Sequence, residues 1–210
     1  MSSSIVLVGD SLSVGAFPAL KAVVPEALLI AKVGASTAWM EGQLAAVQAN
    51  APRRVLLMAG TNDLAGAAPE VVVERVKKLA GLLYDTGTSS VVVSLLPPQS
   101  PADGAGNARV NAFNALLSAW SPPTPTGITV EPVGRVLDVA DVAADPMGIH
   151  PGSDGYARLG DAWADVAVNG KLDPLALIQP QPAPRGEPSI GFGTIALTGL
   201  AVWGVSRLLR

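Results

Sequence analysis

The stretch Ile5-Val6-Leu7-Val8-Gly9-Asp10-Ser11-Leu12-Ser13 carries the most information about the fold. Its four leading apolar residues predict a short strand that is buried on both faces, as in a parallel sheet covered by helices. The polar residues that follow would then lie at the carboxyl end of this strand. Ligands of doubly wound sheets bind at that edge, so we expect Ser11 in a binding crevice. The alternative is that Ser11 or Ser13 only caps the next helix.

The same alternation of short apolar runs and longer helical patterns continues to about residue 167. Strands are predicted at Ile5–Val8, Ala27–Ala31, Val55–Met58, Val91–Leu95 and Ile128–Val130. Helices are predicted at Val14–Val24, Trp39–Ala49, Pro69–Tyr84, Ala108–Ala119 and from Ser153 to about Val168. This order predicts an α/β fold with a doubly wound, mostly parallel five-stranded sheet and helices on both faces.

Two further predicted strands end in residues that suit the binding of an oxyanion. Gly34 follows the second strand, where it would let the backbone approach a substrate and donate its N–H. Asn62 follows the third strand, and its amide is a donor without a titratable proton. The alternative is that Gly34 belongs to a turn before a Ser36 or Thr37 cap, and that Asn62 belongs to a polar turn.

Composition excludes several other classes of site. His150 is the only histidine and there is no cysteine, so a zinc site of several imidazoles, a thiolate metal site and a cysteine nucleophile are excluded. The net charge of -3 and the lack of a Lys/Arg cluster argue against nucleic acid as a partner. Any imidazole chemistry must therefore come from His150.

Four motifs in this order resemble the sequence blocks of the GDSL/SGNH hydrolase family: Gly9-Asp10-Ser11-Leu12-Ser13, Gly34, Gly60-x-Asn62-Asp63, and His150-Pro151 with Gly155-Tyr156. The resemblance covers about residues 5–168 and implies a flavodoxin-like fold that hydrolyses esters through an acyl-enzyme. It implies Ser11 as the nucleophile and His150 as its base. The implied oxyanion hole consists of the Ser11 and Gly34 N–H groups and the Asn62 side chain. The implied mechanism requires neither a metal nor an organic cofactor.

One position departs from the family pattern. The family usually has an aspartate three residues before the histidine, where this chain has Met147, which cannot stabilise an imidazolium. We expect Asp145 to take this role through a loop extended at Pro146. The alternative is a Ser–His dyad in which a backbone carbonyl orients His150. Asp154 is expected instead to lie at the N-terminus of the last helix, where the dipole favours it.

The natural substrate is less well determined by the sequence. The resemblance implies esters in general, and the small, polar loop Pro97–Asn107 indicates an open site. Short acyl esters and carbohydrate acetyl esters are therefore favoured over long acyl chains. Two alternatives remain: a membrane-bound lysophospholipase, and a catalytically impaired SGNH-fold module whose function is binding or structural.

The composition changes near the C-terminus. We predict a hydrolase domain over residues 1–178, a Pro-rich linker over 179–189 and a hydrophobic helix over Ile190–Arg210. The uncharged run Ile190–Val205 would span roughly 24 Å as a helix, slightly less than a hydrocarbon core of about 30 Å. It is expected to anchor the protein in a membrane or, alternatively, to dock on a protein assembly or a second copy.

The N-terminal residues lack the pattern of a signal peptide. The domain is therefore expected to start in the cytoplasm. Insertion of the tail, non-classical export or assembly into a larger particle such as a virion would all be compatible with this pattern.

Overall fold

A computed structural model describes residues 5–100, 105–124 and 126–173, which contain a five-stranded sheet. Its strands are β1 (Ile5–Gly9), β2 (Leu28–Ala31), β3 (Arg54–Met58), β4 (Ser90–Ser94) and β5 (Ile128–Glu131). All neighbours pair in parallel, in the order β2-β1-β3-β4-β5. This confirms the predicted doubly wound sheet. The chain reverses its direction of winding between β1 and β3, which is where such folds place their ligands.

Seven helices and two short 3-10 turns lie between the strands or follow the last of them in the described chain. The helices are α1 (Ser11–Val23), α2 (Thr37–Glu41), α3 (Leu44–Ala49), α4 (Pro69–Asp85), α5 (Ala105–Ser118), α6 (Val139–Val142) and α7 (Ser153–Asn169), and the 3-10 turns are Asp63–Ala65 and Val133–Val136. Helix α1 packs against α7, whereas α4 packs against α2 and α5. Right-handed crossovers in opposite directions place these two groups on opposite faces of the sheet.

The inner strands form the centre of the core, as their apolar composition predicts. Val6, Leu7 and Val8 of β1 are completely buried, and so are the apolar residues of β3 and β4. Strand β2 differs because it lies at an edge of the sheet, where Leu28 is 37% exposed. The prediction of burial on both faces therefore holds for the inner strands and not for β2.

Three predicted helices have clearly different bounds in the structure, and the one predicted at Ala108–Ala119 begins three residues earlier, as α5 (Ala105–Ser118). Helix α1 begins at Ser11 rather than Val14, because the Oδ1 atom of Asp10 accepts a hydrogen bond from Leu12 N–H at 3.0 Å. Asp10 is thus the cap, and neither Ser11 nor Ser13 takes that role. The predicted helix Trp39–Ala49 is divided into α2 and α3 around Gly42 and Gln43, and glycine is an unfavourable residue inside a helix.

The predicted linker and hydrophobic helix lie outside the described residues, so the domain boundary near residue 178 and the membrane anchor stay predictions. In the part of the chain that the structure describes, no helix combines the length and the apolar character needed to cross a membrane.

Candidate active site

The Ser11 hydroxyl and the His150 imidazole are hydrogen-bonded although they lie far apart in the sequence. The Nε2 atom of His150 lies 2.9 Å from Oγ of Ser11. Ser11 is the first residue of α1, just beyond the carboxyl end of β1, and His150 lies in the loop before α7. The structure therefore brings the predicted nucleophile and the predicted base together. Ser11 is half-buried, and the His150 side chain is 30% exposed.

Close packing of α7 on α1 makes this contact. A Cβ atom at Gly15 would overlap the ring of Tyr156, and one at Gly160 would overlap the backbone carbonyl of Ala16. Both glycines thus let the two helices approach more closely than larger residues would. Because α1 starts at Ser11 and the His150 loop leads into α7, the approach of the helices sets the position of the imidazole. The sequence did not indicate that Gly15 and Gly160 allow this close packing of the two helices.

Asp145 contacts the other ring nitrogen of His150. Its Oδ2 atom lies 3.1 Å from Nδ1 and also accepts hydrogen bonds from the N–H groups of Ile149 at 2.9 Å and His150 at 2.8 Å. Burial raises the pKa of Asp145, but hydrogen bonds from these two N–H groups and that of Met147, together with the His150 charge, more than offset it, so the pKa lies below 3.8. An ionised carboxylate only accepts, so Nδ1 must donate and Nε2 is free to accept from Ser11.

A tight turn brings Asp145 to His150. The N–H of Gly148 donates to the carbonyl of Asp145 at 2.8 Å, and Pro146 follows Asp145 in the position that proline favours in such turns. The prediction of a loop extended through Pro146 was therefore wrong, whereas the structure does place Asp145 against the ring. Met147, at the position where the family has its acid, is 66% exposed. The turn compensates for the two additional residues between Asp145 and His150.

Glycine is required at position 148 both by the backbone conformation there and by the close approach of a neighbouring segment. Its φ of 63° lies in the left-handed region, and a Cβ atom there would overlap the carbonyl of Ser100. The N–H of Ser100 donates to the Gly148 carbonyl at 2.7 Å. The described part of the loop after β4 thus contacts the turn that carries Asp145. Residues 101–104 of that loop lie outside the described chain.

The three predicted oxyanion donors follow three neighbouring strands, β1, β2 and β3. In the described chain, no acceptor takes a hydrogen bond from the N–H groups of Ser11 or Gly34. Gly34 has a φ of 74°, and a Cβ atom there would meet open space, so its backbone conformation rather than crowding calls for glycine. The Nδ2 atom of Asn62 donates to the Ala35 carbonyl at 2.9 Å. One of its two hydrogens is thereby used and the other can reach a ligand.

Asp10 is a buried acid next to the nucleophile, to which the sequence analysis assigned no role. It is 0% exposed, and its Oδ2 atom has no hydrogen-bond partner in the described structure. Burial raises the pKa of Asp10 to about 6 despite the hydrogen bonds that it accepts. Burial together with the charges of Asp10 and Asp145 raises the pKa of Tyr156 to about 12.

This arrangement can activate a hydroxyl group for attack. Asp145 orients the imidazole, Nε2 can take the Ser11 proton, and donors at the ends of three strands can receive negative charge. Among residues 5–100, 105–124 and 126–173, no group of three His, Cys, Asp or Glu side chains is suited to hold a metal ion.

One family model matches the sequence, and several solved structures share the fold. The model of the GDSL-like lipase/acylhydrolase family matches residues 7–158. A search of curated proteins found no match.

Several solved structures share the fold. A GDSL-like lipase from Bacteroides thetaiotaomicron is 15% identical with a TM-score of 0.64, over 80% of this chain and 88% of that one. A member of the lipolytic G-D-S-L family from Veillonella parvula is 20% identical with a TM-score of 0.62, over 79% and 97%. The C-terminal catalytic domain of a Streptococcus pneumoniae peptidoglycan O-acetyltransferase, which carries a methylsulfonyl adduct, is 19% identical with a TM-score of 0.62, over 81% and 96%. At these identities the likeness shows the fold alone.

Proposed function

Because the chain belongs to the GDSL-like lipase/acylhydrolase family, as its four motifs predicted, we propose that it hydrolyses carboxylic esters with Ser11, His150 and Asp145 as the catalytic residues. The observation that carries this proposal is the continuous hydrogen-bonded series from Asp145 Oδ2 through both ring nitrogens of His150 to Ser11 Oγ, with contacts of 3.1 and 2.9 Å. Hydrolysis of esters in general follows from the family. The assignment of residues and substrate is the proposal.

The first step forms an acyl-enzyme. Nε2 of His150 takes the proton of Ser11 as Oγ bonds to the ester carbonyl carbon, and the carbonyl oxygen becomes an oxyanion. The N–H groups of Ser11 and Gly34 and the free hydrogen of Asn62 Nδ2 receive this charge. Protonated His150 then gives its proton to the leaving alcohol oxygen as the ester bond breaks. Asp145 stays ionised throughout and stabilises the imidazolium.

The second step releases the acid. His150 takes a proton from a water molecule, whose oxygen bonds to the acyl carbon, and the same donors receive the second oxyanion. The bond to Ser11 Oγ then breaks, and the proton on Nε2 returns to Oγ. Removal of one oxyanion donor typically costs about 3 kcal/mol of transition-state stabilisation, so the loss of any one of the three donors should lower turnover strongly.

For the substrate, we propose short acyl esters and acetyl esters of carbohydrates. The small, polar loop that follows β4 supports this choice, since the described part of it contacts the turn next to His150. Among proteins with the same fold, one is described as a peptidoglycan O-acetyltransferase and another as an acetyl esterase with bound acetate. Other proteins of this fold are thus described as acting on acetyl groups.

The first experiment compares hydrolysis of p-nitrophenyl acetate by the wild-type protein, Ser11→Ala and Ser13→Ala. Ser13 is the matched control because it lies two residues away, is buried, and has an Oγ atom without a hydrogen-bond partner in the described structure. We expect activity to disappear in Ser11→Ala and to persist in Ser13→Ala. Equal activity in all three proteins would refute the assignment of Ser11.

The alternative to a hydrolase is a catalytically impaired SGNH-fold binding module. Met147, at the position where the family usually has an aspartate, favours this alternative. The contact between Asp145 and His150 weighs against this alternative, because it supplies the acid that Met147 lacks. An impaired module would show no labelling by a serine-directed fluorophosphonate in the wild-type protein. The hydrolase should be labelled in the wild type and not in Ser11→Ala.

A further inference from the structure

Asp63 ties together the two chain segments that carry the Gly34 and Asn62 donors. Its Oδ2 atom accepts the N–H of Thr37 at 2.9 Å, and its Oδ1 atom accepts the Thr37 hydroxyl at 2.7 Å. Thr37 lies three residues after Gly34, and Asp63 directly follows Asn62. The two oxygens of one carboxylate thus hold one residue of the neighbouring segment at two points.

A second connection runs in parallel with the first. Asn62 donates through Nδ2 to the carbonyl of Ala35 at 2.9 Å. Together, these three hydrogen bonds join residues 35 and 37 on the segment after β2 to residues 62 and 63 on the segment after β3. Strands β2 and β3 are not neighbours, since β1 lies between them. The sheet itself therefore does not set the separation between the two segments at this edge.

The surroundings of Asp63 indicate a fixed connection rather than a substrate contact. The Asp63 side chain is 3% exposed and Thr37 is 4% exposed, so both groups are out of water. Arg75 of α4 is the only cation that contacts the carboxylate in the described chain, at 3.4 Å, and its side chain is 51% exposed. Buried, charge-assisted hydrogen bonds of this kind are stronger and more directional than neutral ones.

We propose that Asp63 is a positioning residue of the oxyanion hole, acting through its two hydrogen bonds to Thr37, which we name the Asp63–Thr37 clamp. The clamp holds the Gly34 N–H and the Asn62 amide at the separation that a tetrahedral oxyanion requires. This inference rests on the proposed function. Oxyanion donors act only when they are aimed at the developing charge in advance, and displacement of a catalytic group by about 1 Å can cost roughly a hundredfold in rate.

The test compares Thr37→Val with Thr37→Ser and Arg75→Gln. Valine has nearly the shape of threonine and keeps the backbone N–H bond, but it removes the hydroxyl from Asp63. We expect Thr37→Val to lower kcat for p-nitrophenyl acetate about 10- to 100-fold with little change in KM. Thr37→Ser should restore kcat to within about threefold of wild type, and Arg75→Gln, which leaves the clamp intact, should do the same.

Two further readouts separate positioning from a general loss of structure. A trifluoromethyl ketone that forms an anionic adduct with Ser11 should lose affinity in Thr37→Val by the same factor as kcat/KM falls. In an Asn62→Ala background, the loss of log kcat caused by Thr37→Val should be less than half of the loss that it causes alone, because one of the two donors whose separation the clamp sets is already gone. An effect that multiplies fully with Asn62→Ala would overturn the proposal.

The outcomes also distinguish this inference from the proposed function. If the wild-type protein neither hydrolyses the ester nor is labelled at Ser11, the proposed function fails. If the wild type is active and Thr37→Val turns over the ester as fast as Thr37→Ser, the proposed function stands and the clamp is refuted.

Discussion

Asp10 should lower the stability of the folded protein at neutral pH, so Asp10→Asn should raise it. The carboxyl group is fully buried, Oδ1 accepts the Leu12 N–H, and Oδ2 has no partner in the described structure. Burial raises its pKa from 3.8 to about 6. This difference corresponds to about 3 kcal/mol of free energy that favours the neutral form in the folded state.

The sign of the pH dependence follows from which state loses its proton first. Below pH 3.8, Asp10 is protonated in both states, so it contributes no penalty. Between pH 3.8 and about 6, the unfolded chain ionises first, and stability falls as the pH rises. Above about pH 6, both states are ionised and the penalty stays constant at about 3 kcal/mol. The Asp10→Asn variant avoids this penalty, and its amide oxygen can still cap α1.

Urea unfolding of the wild type and Asp10→Asn at about pH 4.5 and about pH 8 measures this effect. The stability of the variant relative to the wild type should increase by about 2 kcal/mol from the lower to the higher pH. Asp85→Asn is the control, because Asp85 is an exposed carboxylate at the end of α4; its difference from wild type should be the same at both pH values. A stability difference between Asp10→Asn and the wild type that does not change with pH would show that burial of the Asp10 carboxylate carries no such penalty.

Three further predictions concern the site itself. Asp145→Ala should lower kcat on the order of 10³-fold, whereas Asp145→Asn should lower it only about 10- to 100-fold. The Ile149 and His150 N–H groups can donate only to the oxygen of the new amide, so they keep this oxygen next to Nδ1. Equal losses of kcat in steady-state kinetics would contradict this. Asn62→Ala should lower kcat about a hundredfold with KM little changed, and near-wild-type turnover would remove Asn62 from the oxyanion hole. Gly148→Ala should lower both the thermal unfolding midpoint and kcat. An alanine with the φ of 63° found at this position is destabilised by about 1–2 kcal/mol, and its Cβ atom would overlap the backbone of Ser100. An unchanged unfolding midpoint in calorimetry would contradict this.

Much of the fold could be predicted because it depends on local patterns. Five apolar runs separated by helical periodicity are enough to predict a parallel sheet, and this sheet is observed. The bounds of α1 were less accurate because the Asp10 cap extends the helix back to Ser11. The division of α2 from α3 falls at Gly42, a residue that is unfavourable inside a helix, and the apolar periodicity of this segment does not reveal it.

The candidate residues were predictable for a related reason. In a parallel sheet, every strand ends at the same edge, so Ser11, Gly34 and Asn62 had to lie near one another once the strands were placed. The role of Asp10 was not predictable, since the cost of a buried carboxylate depends on neighbours from distant segments. The same holds for Asp63, whose partner Thr37 is 26 residues away in the sequence.

Hydrophobic periodicity and chain direction were enough to predict the α/β sheet, the order of its strands along the chain and the edge at which the polar residues gather. How His150 reaches Ser11, and which acid contacts its ring, become visible only in the folded chain. The first depends on the close approach of α1 and α7 at Gly15 and Gly160. The second depends on a turn whose left-handed Gly148 folds Asp145 back onto the imidazole, a contact set by backbone geometry and packing rather than by residue spacing.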